Sequence, residues 1–253
     1  MERKIACITG ATSGIGKSCA ALFAAHQYDL VVTGRRTDRL QALQEKLTTD
    51  YGVQVTILTL DVQDQNQVFE VIEKSFPKNS RLDVLVNNAG LSLGRQSIAD
   101  GSLDDWNTML NTNVHGLLYM TKALLPALIQ AEGTIINIGS IAGLEAYENG
   151  NVYCASKAAV DMLTKTMRMD LLKHRVRVTA IHPGAVETAF SLVRYKGDQQ
   201  KADAVYQGFV PLTPDDVAQT VYFAASQPAH VCINELIVMP TAQASASLFH
   251  KTS

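Results

Sequence analysis

The sequence predicts an α/β fold: one doubly wound parallel sheet with helices on both faces. Three observations carry this. Short apolar runs alternate with longer helical patterns from end to end, which implies right-handed strand–helix–strand crossovers. The later runs are nearly continuous Val, Ile and Leu, as expected of strands covered by helices on both faces. A glycine-rich turn joins the first strand to the first helix.

Taken in order, the predicted strands are Ile5–Thr9, Leu30–Thr33, Val53–Leu60, Val84–Asn87, Thr134–Ile138, Val176–Ile181 and Glu235–Met239. The last four are the apolar runs expected to be buried on both faces. Between the strands lie helical patterns at Ile15–Gln27, Thr37–Thr49, Gln65–Phe76, Leu103–Gln130, Tyr153–Lys173 and Pro214–Ser226. No linker, repeat or low-complexity tract interrupts them, so residues 1–253 read as one domain. The polar stretch Gly184–Val210 lacks clear periodicity. A loop of that length in a compact domain is usually functional or mobile. It reads as a substrate lid with one or two short helices. The tail after Pro240 is small and polar apart from Leu248 and Phe249; it either packs on a neighbouring subunit or is loose.

Composition narrows the function. At 47% hydrophobic residues the chain has ample material for a core, and its net charge of -2 implies no basic face for nucleic acid. Cys7, Cys19, Cys154 and Cys232 form no C-x-x-C pair and no His/Cys cluster has zinc spacing, so no metal is expected. The cysteines read as reduced thiols of a cytoplasmic protein. The start, Met1-Glu2-Arg3-Lys4, is not a signal peptide, and no apolar run approaches the roughly 20 residues of a membrane span.

The turn after the first strand is Thr9-Gly10-Ala11-Thr12-Ser13-Gly14-Ile15-Gly16. Glycines allow a tight turn and close approach of a pyrophosphate, and the helix end offers free N–H groups. This makes the fold Rossmann-like and Gly10, Thr12, Ser13, Gly14, Ile15 and Gly16 candidate dinucleotide-binding residues. An NAD enzyme usually places an acid at the end of strand two; here Thr33-Gly34-Arg35-Arg36 stands there. A guanidinium suits a 2′-phosphate, so Arg35 and Arg36 point to NADP(H). The alternative is that these arginines, with Asp38 and Arg39, form the solvated start of a helix. A carboxylate at Asp61, followed by Val62, would accept from the adenine amino group. Asn87-Asn88-Ala89-Gly90 follows strand four. Its small pair, Ala89 and Gly90, lets backbone pass a ribose, while the amides tie neighbouring strands or serve structure alone.

The chemical signal lies further on. Ser140 follows the strand Thr134–Ile138, and Tyr153-Cys154-Ala155-Ser156-Lys157 opens a long helix. Tyr153 and Lys157, at i and i+4, share one helix face. A nearby ammonium lowers a phenol's pKa toward the range of a useful acid/base, and the serine hydroxyl holds the substrate oxygen.

These residues together resemble the short-chain dehydrogenase/reductase family over essentially the whole chain. The match covers Thr9, Gly10, Gly14, Gly16, Asn87-Asn88-Ala89-Gly90, Asn113, Ser140, Tyr153, Lys157 and Pro183-Gly184. The resemblance implies that Asn113 kinks its helix and holds a water in a proton relay, and that Lys157 also bonds the nicotinamide ribose. It further implies that Pro183, Gly184, Val186 and Thr188 line the carboxamide. With Arg194-Tyr195-Lys196-Gly197-Asp198, Leu212-Thr213-Pro214-Asp215-Asp216-Val217, Pro228-Ala229-His230-Val231 and Met239-Pro240-Thr241, the chain resembles the bacterial NADP-dependent 3-hydroxy acid dehydrogenases. That branch acts on L-allo-threonine, serine or malonic semialdehyde and forms cytoplasmic homotetramers. The segment Pro183–Phe190 departs from it in being shorter and less glycine-rich. Helices Leu103–Gln130 and Tyr153–Lys173 would pair with their symmetry mates.

A 3-hydroxy acid needs a clamp for its carboxylate, for which Arg194 and Lys196 are candidates, the alternative being a solvated basic loop. Tyr147, Asn151 and Leu93 are candidate pocket walls. The substrate set is thus Ser140, Tyr147, Tyr153 and Arg194. Two other readings stand beside it. One is a reductase of carbonyls or 3-oxoacyl thioesters sharing the same centre. The other is a regulator that binds NADP(H) without turnover, which would have no need of Ser140, Tyr153 and Lys157 together.

Overall fold

The computed structural model describes residues 3–77 and 79–252. Seven strands form one parallel sheet: β1 (Ile5–Ile8), β2 (Asp29–Gly34), β3 (Val55–Thr59), β4 (Val84–Asn87), β5 (Thr134–Ile138), β6 (Arg177–Pro183) and β7 (Glu235–Val238). Their order is β3-β2-β1-β4-β5-β6-β7. The order reverses beside β1, where the connections leaving β1 and β4 part to opposite sides. In such sheets ligands bind outside the carboxyl ends of the strands at this point.

The helices are α1 (Gly14–Ala25), α2 (Thr37–Tyr51), α3 (Gln65–Ser75), α4 (Leu103–Leu110), α5 (Gly116–Ala131), α6 (Asn151–Asp170), α7 (Phe190–Arg194), α8 (Gln199–Ala204) and α9 (Pro214–Ala225). Alternate strand residues face opposite ways, which gives the sheet two cores. Ala6, Ile8, Val32 and Val86 pack with Phe23 of α1, Leu40 and Leu43 of α2 and Val221 of α9. Cys7, Val31, Leu85 and Ile135 pack with Ile72 of α3 and Met120 and Leu124 of α5. Among the described residues, no helix is long and apolar enough to cross a membrane.

Most predicted elements form, with ends displaced by a residue or two. Three differ in kind. The segment expected as one helix over Leu103–Gln130 is α4, a five-residue π turn over Asn111–His115, and α5. The segment Tyr153–Lys173 begins earlier, at Asn151, and gives way to a short 3₁₀ turn at Leu172–His174. The strand Glu235–Met239 is not buried on both faces. As β7 it is the last strand of the sheet, and Glu235 and Ile237 face outward, Ile237 being 52% exposed. Its apolar sequence misleads because only Leu236 and Val238 reach the core shared with α9.

The stretch 184–210 holds the two short helices α7 and α8. Its base is closed by Glu187 N donating to Leu212 O and Leu212 N donating to Ala185 O. It rests on the body through Gly94 N, which donates to Arg194 O at 2.9 Å. The tail folds back on its own chain. Gln243 is buried and its Oε1 accepts from Ala185 N. Thr252 N donates to Gly208 O, and Phe249 packs against Phe209 with ring centroids 5.1 Å apart.

Candidate active site

A cleft of about 410 Å³ opens at the carboxyl ends of the strands, on the reversal of strand order. The turn between β1 and α1 forms one wall. Gly10 turns with φ +65°. Ser13 stands at the helix N-terminus in extended backbone and makes no side-chain cap, so the first N–H groups of α1 are left for an anion. A Cβ on Gly16 would lie 2.4 Å from Asn88 Nδ2 and 2.5 Å from Gly10 O. Asn88 in turn donates from Nδ2 to Thr9 O and Gly10 O, tying the end of β4 to the turn. These contacts make a cradle that only bare backbone fits, as a pyrophosphate requires.

Gly10, Thr12, Ser13, Gly14 and Ile15 line the cleft. Gly16 lies behind them as a buried packing residue. The end of β2 delivers a cationic corner. Arg35, Arg36 and Arg39 line the cleft together. Arg36 donates to Thr12 Oγ1 at 2.7 Å, and Arg35 stands 3.5 Å from the Asp61 carboxylate. Desolvation, then Arg39 and Arg35, pull the Arg36 pKa below its ordinary value. Three guanidiniums with two nearby carboxylates, Asp61 and Asp38, favour an added anion. Arg39, one helical turn beyond Arg35, was readable in the sequence only as helix surface. Asp61, Val62, Asn88, Ala89, Gly90, Pro183, Gly184, Val186 and Thr188 complete the lining.

Asn87 is absent from that lining. Its amide donates to Thr121 Oγ1 and Asn137 Oδ1, both at 2.9 Å, and Asn137 donates onward to Thr164 Oγ1. This buried ladder fastens β4 and β5 to α5 and α6, which settles Asn87 as structural.

At the far end of the cleft β5 delivers Ser140, and the first turns of α6 deliver Tyr153 and Lys157. Burial raises the Tyr153 pKa above that of a free phenol, and Arg194, then the Ser140 hydroxyl, pull it back down. Lys157, only 6% exposed, is pushed down to about 8 by burial and donates to Ile138 O at 2.8 Å. A second cation, one the sequence did not single out for this role, stands against the phenol. Arg194, from the lid, places its guanidinium carbon 5.1 Å from the Tyr153 ring centroid and 4.9 Å from that of Phe190. Arg194 Nε is buried and without a partner among the described residues.

Asn113 sits in the π turn, where one extra residue per turn redirects its side chain. Its amide exchanges bonds with Leu91, accepting from N at 2.8 Å and donating to O at 2.9 Å, and donates to Ser156 Oγ. A Cβ on Gly90 would lie 3.2 Å from Asn113 Oδ1 and 3.5 Å from Lys157 Nζ. Asn113, Gly90 and Lys157 thus meet behind the nicotinamide end of the cleft.

Beyond Tyr153 a small recess is lined by Leu93, Trp106, Met109, Tyr147, Asn151 and Tyr153. Tyr147, Asn151 and Leu93 were expected there; Trp106 and Met109 were not, because their helix gave only amphipathic spacing. Lys196, the other clamp candidate, is paired elsewhere. Its ammonium is held 2.7 Å from the Asp105 carboxylate on α4, where it ties the lid down.

Comparison with known proteins places this geometry. The profile of the short chain dehydrogenase family matches residues 4–198. Sulfoacetaldehyde reductase of Chromohalobacter salexigens is 48% identical over 94% of this chain and 94% of its own. An NADP-dependent 3-hydroxy acid dehydrogenase of Schizosaccharomyces pombe is 42% identical over 98% of this chain and 96% of its own. The closed form of serine dehydrogenase complexed with NADP+ superposes with a TM-score of 0.89 at 43% identity, over 98% of this chain and all of that one. The chain belongs to the short chain dehydrogenase family.

Proposed function

We propose that the protein is an NADP(H)-dependent oxidoreductase acting on the carbinol of small 3-hydroxy acids and on their 3-oxo counterparts. The observation that carries the substrate class is Arg194: a permanent cation, stacked on Tyr153, with a buried Nε that has no partner among the described residues. A carboxylate satisfies both the charge and the donor.

The anionic group and the carbinol carbon are separated by one carbon in a 3-hydroxy acid. The same spacing holds in 2-hydroxyethanesulfonate, the reduced form of sulfoacetaldehyde. A site built on Arg194 at that distance accepts either anion, which agrees with the names of both relatives.

When bound, NADP(H) supplies or accepts the hydride. The chain does the rest. Tyr153 moves the proton at the substrate hydroxyl, and Ser140 holds that oxygen beside the phenol. Lys157 holds the ribose and passes the proton on toward Asn113 and a water. Arg36 with Arg35 and Arg39 takes the 2′-phosphate. Asp61 and Val62 border the adenine, and Pro183, Gly184, Val186 and Thr188 the carboxamide. The lid, fixed by Gly94 and Asp105, excludes water.

We assign the working form to a cytoplasmic homotetramer. Support comes from the family resemblance and from exposed apolar side chains on the two helices expected to pair, Leu103 on α4 with Met162 and Met169 on α6. Mass in solution by light scattering tests it.

The function is tested by initial rates of NADP reduction with 3-hydroxypropionate, 3-hydroxybutyrate, L-serine, L-allo-threonine and 2-hydroxyethanesulfonate, each repeated with NAD. Tyr153→Phe runs alongside and is expected to lose about 10²- to 10⁴-fold in rate while still binding NADPH. Silence on every acid with cofactor binding intact would discard the substrate class and leave the fold and cofactor standing.

A further inference from the structure

Behind Ser140, on the side away from the cleft, His182 of β6 is fully buried. Its Nδ1 faces the Ser140 carbonyl at 3.3 Å. A carbonyl only accepts, so Nδ1 carries the proton. In neutral imidazole the other nitrogen, Nε2, is then a bare acceptor. It faces Asp161 Oδ1 of α6 at 3.6 Å. Asp161 Oδ1 is also an acceptor. Both atoms are buried and lack a hydrogen-bond partner among the described residues. Two lone pairs aimed at each other in a buried space require a positive charge between them.

A third acceptor completes the group. Glu235, the first residue of edge strand β7, brings a carboxylate oxygen so that the three candidate atoms lie within 4.8 Å of one another. Ligand atoms on a tetrahedral zinc at ordinary bond lengths are about 3.4 Å apart, close to the observed separation of His182 and Asp161. Lys165 holds the other Asp161 oxygen at 2.8 Å and leaves Oδ1 free. The groups facing His182 are thus Asp161 and Glu235 on one side and Ser140 on the other, with Lys157 and Lys165 as the neighbouring cations.

We propose that Asp161, His182 and Glu235 form a binding site for a divalent cation of the zinc class, seated behind Ser140.

Several features fit. One nitrogen and two carboxylate oxygens make a donor set suited to Zn²⁺ and Co²⁺. The Nδ1–H to carbonyl bond is the outer support that metal-ligating histidines use to fix ring and tautomer. Only glycine at 139 admits the ring, since a Cβ there would lie 2.6 Å from His182 Nδ1. Glu235, exposed on the edge strand, gives the ion its way in. The three ligands come from α6, β6 and β7, which is why sequence spacing gave no sign of them. A bound ion would lock the ring that holds the Ser140 backbone, linking the cation to the geometry of the serine without entering the chemistry.

The test is metal titration of the chelator-stripped full-length protein. Co²⁺ is added and its visible ligand-field absorption followed, then Zn²⁺ is added to displace it; bound metal per chain is counted after gel filtration. One ion per chain is expected. Glu235→Gln, at an exposed position, should weaken binding by about tenfold or more, and His182→Gln should abolish the absorption. Lys165→Met, which removes a competing cation, should tighten binding. Equal binding in the wild type, Glu235→Gln and His182→Gln would overturn the site. So would the absence of any saturable binding, or a nitrogen-15 spectrum showing His182 doubly protonated in the presence of Zn²⁺, which would put a proton where the ion is proposed.

Discussion

The guanidinium of Arg194 lies over the ring of Tyr153, 5.1 Å from its centroid. One residue of the lid thereby touches the proposed acid/base. Under the proposed function, substrate recognition and activation of the proton carrier would be joined in a single side chain.

Arg194→Ala should therefore do two separable things. It should raise KM for carboxylate and sulfonate substrates by about 10- to 100-fold, the range of a charge-assisted hydrogen bond. It should also move the pH profile. Because Arg194 pulls the Tyr153 pKa down, its loss lets that pKa rise, and the limb of kcat/KM that reports Tyr153 should shift to higher pH. Unchanged KM for every acid would end the clamp reading, and an unmoved profile would end the electrostatic one.

The cationic corner predicts cofactor choice. Replacing Arg35 and Arg36 together by neutral residues should raise KM for NADP by about 10- to 100-fold and leave that for NAD nearly unchanged. Arg39→Ala should act in the same direction. Equal losses with both cofactors, measured as parallel saturation curves, would show that these arginines support the fold and not the 2′-phosphate.

At the turn, Gly16→Ala should separate binding from chemistry. Its Cβ would meet Asn88 Nδ2 and Gly10 O inside normal contact. Overpacking of this kind costs about 1–3 kcal/mol. The expected result is a lower melting temperature and weaker NADPH binding by fluorescence titration. Full cofactor affinity in a folded variant would mean that the turn relaxes without cost.

Lys157 predicts a pH dependence of stability. Burial lowers its pKa from 10.5 to about 8. Between those values the unfolded chain holds a proton that the folded chain has released, so folded stability gains as pH rises. A shift of that size corresponds to about 3 kcal/mol. Below pH 8 the wild type carries the full cost of a buried ammonium; above 10.5 it carries none. Relative to Lys157→Met, the wild type should gain stability across this window in denaturant titrations. A constant difference from pH 7 to pH 10 would show that Lys157 titrates as if in water.

Much of the site was legible in the chain because its signals are local. Gly10, Gly14 and Gly16 report a turn through their spacing. Tyr153 and Lys157 report a shared helix face through theirs. Other residues gave no such sign. Trp106 and Met109 enter the recess only because α4 crosses the mouth of the cleft, and nothing in an amphipathic pattern says which neighbour a face will meet. Lys196 and Arg194 are two residues apart in the same basic stretch, yet one is tied to Asp105 and the other lies on Tyr153. Their separation follows from the turn after α7, where Lys196 takes a positive φ of 53°.

The sequence by itself determined the alternation of strands and helices, the dinucleotide turn, the arginine pair at the end of β2 and the Ser140–Tyr153–Lys157 centre. Each is written in periodicity or short-range spacing, which the backbone enforces before any long-range contact exists. Tertiary structure alone brought the Arg194 guanidinium onto the phenol. It also decided that β7 is an exposed edge, that the tail folds onto its own lid, and that Asp161, His182 and Glu235 converge behind Ser140. Those outcomes depend on how elements distant in the chain pack. Side-chain electrostatics in a buried site are set by whatever packing brings within a few ångströms, whatever the distance along the chain.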